Sequence, residues 1–414
     1  MRMMQPLRLV KVSLDFGVGS IPVGRLALGD GSIYFEYDAS FIATGLQISP
    51  LALPLRAGAI KLEQKPFEGL AGVFDDSLPD GWGRLLFDRL LRAQGILPAQ
   101  VTPLDRLAHV GKSGMGALCY EPDNSSQEAV EGIEISQLAR DAAEVLEGAS
   151  EAVLEDLFAL NGSSAGARPK ALIGMNEKTG DMIHGLHTLP AGYTPWIVKF
   201  PHSQDGADAG AIEYVYALMA KAAGIEMPDV HLFAASKGAG YFAAKRFDRN
   251  GSERYHMHSA CGLLHGDFRA PALDYEDLAA LTMMVTKDMR QVEKMYRLAV
   301  FNVLSHNRDD HGKNFSFLMD SHGHWRLSPA YDLTFSSGPR GEQSTMVMGQ
   351  GAKPSVAHLK KLAQAANISE KTAQGIIEQT RESLARWPRL ARAHGVHPAN
   401  ITLIESKMQE IWHG

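Results

Sequence analysis

Cysteine is nearly absent from this chain. Its 414 residues include two, Cys119 and Cys261, in unrelated contexts and with no C-x-x-C pair. A disulfide framework is therefore not the basis of the fold, and a reducing, cytoplasmic setting fits. Long apolar runs are missing too: no uncharged stretch reaches the ~18 residues a membrane span needs. The opening Met1-Arg2-Met3-Met4-Gln5-Pro6 lacks the apolar region of a signal peptide, so no membrane association is expected. Positive charge is not in excess. The 41 Lys and Arg against 47 Asp and Glu leave a formal charge of −6, which gives no general drive toward nucleic acid. Any DNA contact then needs a local patch or a partner protein. No internal repeat or low-complexity tract is visible. What is present is an ordinary globular composition, 45% hydrophobic and 21% charged, in a chain long enough for two or three subdomains with their own cores.

Residues 7–45 read as strands, with Leu9–Leu14 and Ile33–Tyr37 β-prone and Gly29-Asp30-Gly31 as a hairpin signal. A helix is expected over Gly81–Gln94, where Trp82, Leu85, Leu86, Leu90 and Leu91 form one apolar stripe. Leu78-Pro79-Asp80-Gly81 reads as the approach to that helix, with Asp80 as N-cap. Pro122–Gly132 has the composition of a linker, and two short helical patterns follow, Ser136–Glu147 and Glu151–Leu160. A Gly/Ser/Ala loop opens at Gly162 and leads to a strand at Lys170–Met175, then another at Trp196–Phe200. A helix over Glu213–Ala223 and strands at Val230–Ala235 and Tyr241–Phe247 come next. From Leu278 the chain turns helical, and Val292, Met295, Tyr296, Ala299 and Val303 repeat at helix spacing. The tail from Ser355 to Trp412 is helical as well, with Ser369 as an N-cap.

The segment Asn307-Arg308-Asp309-Asp310-His311-Gly312-Lys313-Asn314 carries the chemistry. Asp309 and Asn314 have the D-x-x-x-x-N spacing of a protein-kinase catalytic loop. Phosphoryl transfer needs a carboxylate to take the proton of the attacking hydroxyl and an amide oxygen, one loop-width on, to hold Mg²⁺. A second carboxylate must complete the metal site, and Asp332 follows Asn314 by 18 residues in a Tyr331-Asp332-Leu333 context. Upstream stand the other parts. Gly162-Ser163-Ser164-Ala165-Gly166-Ala167 is small enough for backbone N–H groups to approach phosphates, although such a loop alone is more often a surface turn. Lys199 is a cation in an apolar strand, where an unpaired charge is costly; a structural salt bridge would also explain it. Glu213 opens the next helix, 14 residues after Lys199.

Ser163–Lys170, Trp196–Pro201, Lys245-Arg246-Phe247-Asp248-Arg249, Asp309–Phe315 and Tyr331-Asp332 together resemble the motifs of the HipA family of toxin Ser/Thr kinases. Val23-Gly24-Arg25-Leu26 and Phe74–Arg84 are similar to the domain that precedes the kinase core in that family. The resemblance spans roughly residues 8–390. It implies an α+β, two-lobed protein-kinase-like fold with an N-terminal β-rich subdomain (1–120), a small lobe (121–247) and a mostly helical large lobe (248–414). It further implies ATP and Mg²⁺ as cofactors. Asp309 would be the catalytic base, Asn314 and Asp332 the metal ligands, and Glu213 the partner that orients Lys199. Ser164, Ala165, Gly166, Ala167, Lys170 and Lys199 would surround the phosphates. Lys245, Arg246 and Phe247 would form the adenine hinge, and His311 and Lys313 would contact the nucleotide. Ser163, or its neighbour Ser164, matches a serine whose autophosphorylation silences family members. Lys245 stands where the best-known member has an acid, and Arg168-Pro169-Lys170 also differs from that member. The implied partners are a helix-turn-helix antitoxin of the HipB type, operator DNA reached mainly through it, and a protein substrate among translation components such as an aminoacyl-tRNA synthetase.

Three other readings use the same residues. A small-molecule kinase shares the Asp/Asn/Asp logic, but a small substrate does not require the N-terminal extension. A metal-dependent phosphoesterase built on Asp309, Asp310 and His311 leaves Lys199 and the Gly/Ser/Ala loop unexplained. A dead kinase that binds an antitoxin and tunes transcription is not favoured, because every catalytic position is filled. His256 and His258 form an H-x-H without an evident third ligand and are expected to be structural. Trp82 and Trp387 are expected in the core.

Overall fold

The computed structural model describes residues 6–125, 132–148, 154, 157, 168–185, 188–202, 205–267 and 273–413. Its N-terminal part is a five-stranded antiparallel sheet, β1 (Leu9–Asp15), β2 (Ser20–Gly29), β3 (Ser32–Tyr37), β4 (Ile60–Lys61) and β5 (Leu118–Glu121), in the order β4-β3-β2-β1-β5. Strict alternation buries Val10, Val12 and Leu14 on one face of β1. Between β2 and β3, Asp30 and Gly31 both have positive φ, 50° and 72°, as a two-residue hairpin turn with the native strand twist requires.

A second antiparallel sheet follows: β6 (Lys170–Asn176), β7 (Met182–His184), β8 (Tyr193–Lys199), β9 (Val230–Phe233) and β10 (Tyr241–Lys245), ordered β7-β6-β8-β10-β9. The helix Gly81–Ala93 forms as its apolar stripe predicts. It sends Trp82 and Leu86 into the core of this second sheet, against Ala171, Ile173, Trp196 and Val198. The helix after β8 runs Ala209–Ala222, four residues earlier than the sequence suggests. Glu213 therefore lies a full turn inside it and is 2% exposed, rather than opening it. Asp208, at the N-cap position, makes no side-chain cap bond to this helix. Its carboxylate accepts from the His397 N–H at 2.8 Å and the Asn400 amide at 3.0 Å, pinning the helix to the C-terminal tail.

The remainder is helical around one large core. The helices Tyr275–Thr286 and Met289–Leu304 pack with Val356–Ala365, Glu370–Leu384, Trp387–Ala393 and Pro398–His413. Ser369 caps its helix as expected, accepting from the Thr372 N–H at 3.1 Å. Trp387 is fully buried and donates to the Ile401 carbonyl at 3.1 Å. A short sheet of His256–Ser259, Ser316–Met319 and Trp325–Leu327 lies where this core meets the N-terminal one. No helix among the described residues is long and apolar enough to cross a membrane.

Candidate active site

Lys199 ends β8, and its side chain reaches two carboxylates at once. Its Nζ donates to Glu213 Oε1 at 2.5 Å and to Asp332 Oδ1 at 2.6 Å. Glu213 comes from the helix behind the sheet and Asp332 from the segment after Trp325–Leu327, so one ammonium joins the two halves of the molecule. Burial disfavours the charged amine, but Asp332 and Glu213 outweigh it and hold Lys199 above its ordinary range. Burial likewise pushes Asp332 up, yet Lys199, Lys170 and Arg168 overcome this and keep its carboxyl well below the usual carboxylate range. Asp332 sits in the left-handed region at φ +57° with its side chain 36% exposed, so the group is ionised, backbone-strained and open to solvent.

Lys170 lies directly across the ladder from Lys199. Burial and the neighbouring ammonium push its pKa down to about 8. Arg168, just before it, pairs with Asp205 at 3.1 Å and approaches the second oxygen of Glu213 at 3.6 Å. Glu213 is thus shared by a lysine and an arginine, and the Arg168 contact has no local pattern in the chain to announce it. The loop expected to cover phosphates, including Ser163, Ser164, Ala165, Gly166 and Ala167, lies outside the described residues, as does most of the helical pattern at 151–160.

The helix Met289–Leu304 delivers the D-x-x-x-x-N loop. Asp309 is exposed, as an incoming hydroxyl would require, while its neighbour Asp310 is buried. Asp310 anchors the loop by accepting from Tyr275 Oη (2.6 Å), Gln343 Nε2 (2.9 Å) and the Ser344 and Thr345 N–H groups (3.0 and 3.2 Å). Burial nonetheless raises its pKa to about 6. Asn314 spends its amide nitrogen on the Asp309 carbonyl at 2.8 Å, which closes the loop and leaves the amide oxygen for another task. Tyr331 ties this loop to the segment bearing Asp332. Its hydroxyl donates to the Lys313 carbonyl at 2.6 Å and lies 2.6 Å from Ser316 Oγ. The residue before Asn314 is thereby bonded to the residue before Asp332. An amide oxygen and an ionised carboxylate held in this way are the hard oxygen donors that Mg²⁺ takes.

The expected hinge behaves differently from its motif. Lys245 pairs with Glu177 at 2.8 Å, and its N–H goes to the Asp229 carbonyl. The Arg246 N–H goes to the Pro195 carbonyl at 2.8 Å, and its guanidinium is buried in a bidentate pair with Asp248 at 3.0 and 2.8 Å. Asp248 also receives Arg249 at 2.7 Å and the Gly116 N–H at 2.8 Å. Arg246 and Arg249 continue to the Gly114 carbonyl, so the segment is knotted to the N-terminal domain. Phe247 lies 5.5 Å from the Tyr331 ring, centroid to centroid, and so borders the site.

Asp80 stands at the N-cap position of its helix, but its side chain makes no cap bond there. Together with Asp75 it meets Lys313 Nζ instead, each at 3.3 Å. His258 is buried between Asp76 (2.6 Å) and Ser49 (2.9 Å), and His256 bonds the Ile48 carbonyl at 2.8 Å; both histidines hold the N-terminal domain in place. These interdomain partners escaped the sequence reading. Their one signal was the crowding of carboxylates in Phe74–Trp82.

Two family models match the chain: the HipA-like C-terminal domain over residues 162–387 and the HipA N-terminal domain over residues 14–121. A Sinorhizobium fredii protein named "Putative kinase Y4dM" is 27% identical over 403 residues, covering 90% of each chain. The solved complex of Shewanella oneidensis MR-1 HipA with HipB and operator DNA contains a chain similar in fold, at TM-score 0.68. That match covers 97% of this chain and 96% of the other at 16% identity. The architecture is thus the two-lobed α+β kinase-like fold that the motifs implied.

Proposed function

The chain belongs to the HipA family, and on that premise we propose that it is an ATP-dependent protein Ser/Thr kinase, the toxin of a toxin–antitoxin pair. The observation that carries this reading is Lys199 held between Glu213 and Asp332, the Asp332 segment being tied through Tyr331 to the loop in which Asn314 closes on Asp309. A strand lysine oriented by a helix glutamate is the phosphate-binding device of protein kinases. In this reading Lys199 and Lys170 take the phosphates, with the 162–167 loop covering them. His311, the Phe247 N–H and the main-chain carbonyls around Lys245–Phe247 hold the nucleoside, the side chains and N–H groups of Lys245 and Arg246 being engaged elsewhere. Asp309 accepts the proton of the substrate hydroxyl. Asn314 and Asp332 would hold Mg²⁺, which would neutralise charge developing on the transferred group. We assign residues 1–120, 121–247 and 248–414 as N-terminal domain, small lobe and large lobe.

A HipB-like helix-turn-helix antitoxin and operator DNA bound mainly through it are the proposed partners. This is supported by the assembly named for the Shewanella relative and by the net charge of −6 here. An aminoacyl-tRNA synthetase or another translation component is the proposed substrate, and the cytoplasm the proposed location. Autophosphorylation at Ser163, or at Ser164, would silence the enzyme. A phosphate of about −1.5 to −2 charge would compete with ATP for the same lysines. The test has two arms. Radiolabelled ATP and Mg²⁺ in a host lysate should label one principal band, identifiable by mass spectrometry. Expression alone should slow growth, and co-expression of a helix-turn-helix protein encoded beside it should restore growth. No labelled protein and no growth effect would reject the reading. Peptide mass analysis should place one phosphate within Gly162–Gly166, and a phosphorylated protein that still labels substrate normally would reject self-silencing.

A further inference from the structure

We propose that Asp75 and Asp80 of the N-terminal domain are positioning residues of the phosphoryl-transfer site, acting through Lys313. The inference rests on the kinase reading above and adds a third body to a catalytic centre otherwise built from two lobes. Lys313 immediately precedes Asn314. Its ammonium lies 3.3 Å from Asp75 Oδ2 and 3.3 Å from Asp80 Oδ2, with all three side chains at most 22% exposed. Its carbonyl receives the Tyr331 hydroxyl at 2.6 Å. One residue therefore joins the N-terminal domain through its side chain and the Asp332 segment through its backbone. Both metal-ligand candidates are the next residue along from those two attachment points.

The surrounding interface is built to hold this register. The helix Gly72–Asp75 lies backbone to backbone on the turn Ala260–Leu263: a Cβ on Gly72 would stand 2.3 Å from the Gly262 carbonyl oxygen. A Cβ on Gly262 would stand 2.5 Å from Asp76 Oδ2. Only glycine permits either approach. Asp76 then accepts from the Ser259 N–H and Ser259 Oγ, both at 2.7 Å. Ser259 pairs with Ser316 across the ladder, and the Ala260 N–H donates to the Phe315 carbonyl at 2.8 Å. Gly312 packs on Cys261, where an added Cβ would be 3.4 Å from the Cys261 Cβ. The C-terminal half of the 309–315 loop thus bears, directly through Lys313 and indirectly through Ser259–Cys261, on one short acidic segment, Asp75–Asp80.

Charge adds a second argument. The Lys313 ammonium faces Asp75 and Asp80, with Asp76 between them in the chain. The ammonium is the counter-charge of an acidic cluster, so its attraction is directed at these carboxylates. Buried ion pairs are often worth little in net stability and best attested as register devices. A ligand-bearing loop must keep its geometry to within about 0.5 Å for catalysis, which is what such a device supplies.

The test is the full-length Asp75→Asn/Asp80→Asn protein, with two readouts. In γ-phosphate transfer, kcat should fall by about 10-fold or more, as for lost outer partners of metal ligands. KM for ATP should move by less than about two-fold, because no ground-state nucleotide contact is removed. Some loss of melting temperature is expected from the unpaired Lys313; well below the transition, hydrogen exchange should rise in peptides covering 309–315 and not across the rest of the chain. Lys313→Arg, which can still bridge two carboxylates, should retain transfer, and Lys313→Met should lose it. Unchanged kcat and unchanged exchange in the double variant would overturn the proposal. A raised KM at constant kcat would also overturn it, returning Lys313 to the nucleotide. If the wild-type protein transfers no phosphate, the kinase reading fails by itself, and the exchange result still decides whether the acidic segment holds the loop.

Discussion

Two buried ionic clusters lie within a few residues of the expected nucleotide site, and they are built in opposite ways. In the knot around Asp248 the carboxylate is fully buried and receives Arg246, Arg249 and the Gly116 N–H; Arg254 lies alongside and bonds the Gly116 carbonyl at 3.0 Å. Burial opposes its ionisation, yet the two arginines hold it far below the ordinary carboxylate range. Around Lys199 the charges are equally close, but Asp332 is a third exposed and sits on left-handed backbone. The first cluster is closed on itself and fixes the interlobe segment to the N-terminal domain. The second keeps an accessible face toward solvent. Proximity of charges does not by itself mark a functional site; accessibility and strain separate the two.

The comparison breaks most easily at Asp248. Asp248→Asn leaves two buried guanidinium groups without their counter-charge, and breaking such a pair typically costs about 3–5 kcal/mol. Chemical denaturation should show that loss, while the folded fraction keeps its ATP affinity. A stable variant with weakened ATP binding would move the knot into the site. Lys199→Met should do the reverse. Losing a charge-assisted bond worth about 1.5–3 kcal/mol should weaken Mg²⁺–ATP binding by roughly 10–100-fold. Its stability should fall less than that of the Asp248 variant, because Asp332 can turn to water and the buried Glu213 keeps Arg168 at 3.6 Å. Calorimetric titration of both variants reads the contrast directly.

A smaller effect distinguishes the lysines. Burial and Lys199 push Lys170 down to about 8 in the protein without nucleotide, whereas Lys199 is held up by its two carboxylates. The cationic form of Lys170 is the one that attracts phosphate. ATP affinity should be full below pH 8 and weaken as pH rises through it, by at most about ten-fold per pH unit. Lys170→Met should bind more weakly and lose that slope. A wild-type profile flat from pH 7 to 9 would take Lys170 out of the phosphate site.

The elements that the sequence made legible are those with a local pattern. The alternation of β1, the stripe of Gly81–Ala93, the periodicity of Met289–Leu304 and the Ser369 cap all read correctly from neighbours in the chain. So did the pairing of Lys199 with Glu213, because the kinase spacing carries that information; the bond from Lys199 to Asp332 was not foreseen. Asp80 was misjudged, and the place of the Arg246 side chain was not foreseen, for one reason: each finds its partner through tertiary packing. Arg246 turns to Asp248 and Gly114, and Asp80 prefers Lys313 to its own helix terminus. A guanidinium two residues from a carboxylate, or an aspartate before a helix, looks the same in sequence whether it serves a ligand or the fold.

The central claim is that Asp309 takes a proton from a hydroxyl receiving the γ-phosphate in a site organised by Lys199, Asn314 and Asp332. Its most direct test compares wild type with Asp309→Asn, at matched folding and nucleotide occupancy, for transfer of radiolabelled γ-phosphate to protein. The account predicts equal ATP binding and a transfer rate lower by about 10²–10⁴-fold in the variant. Transfer at the wild-type rate would contradict it.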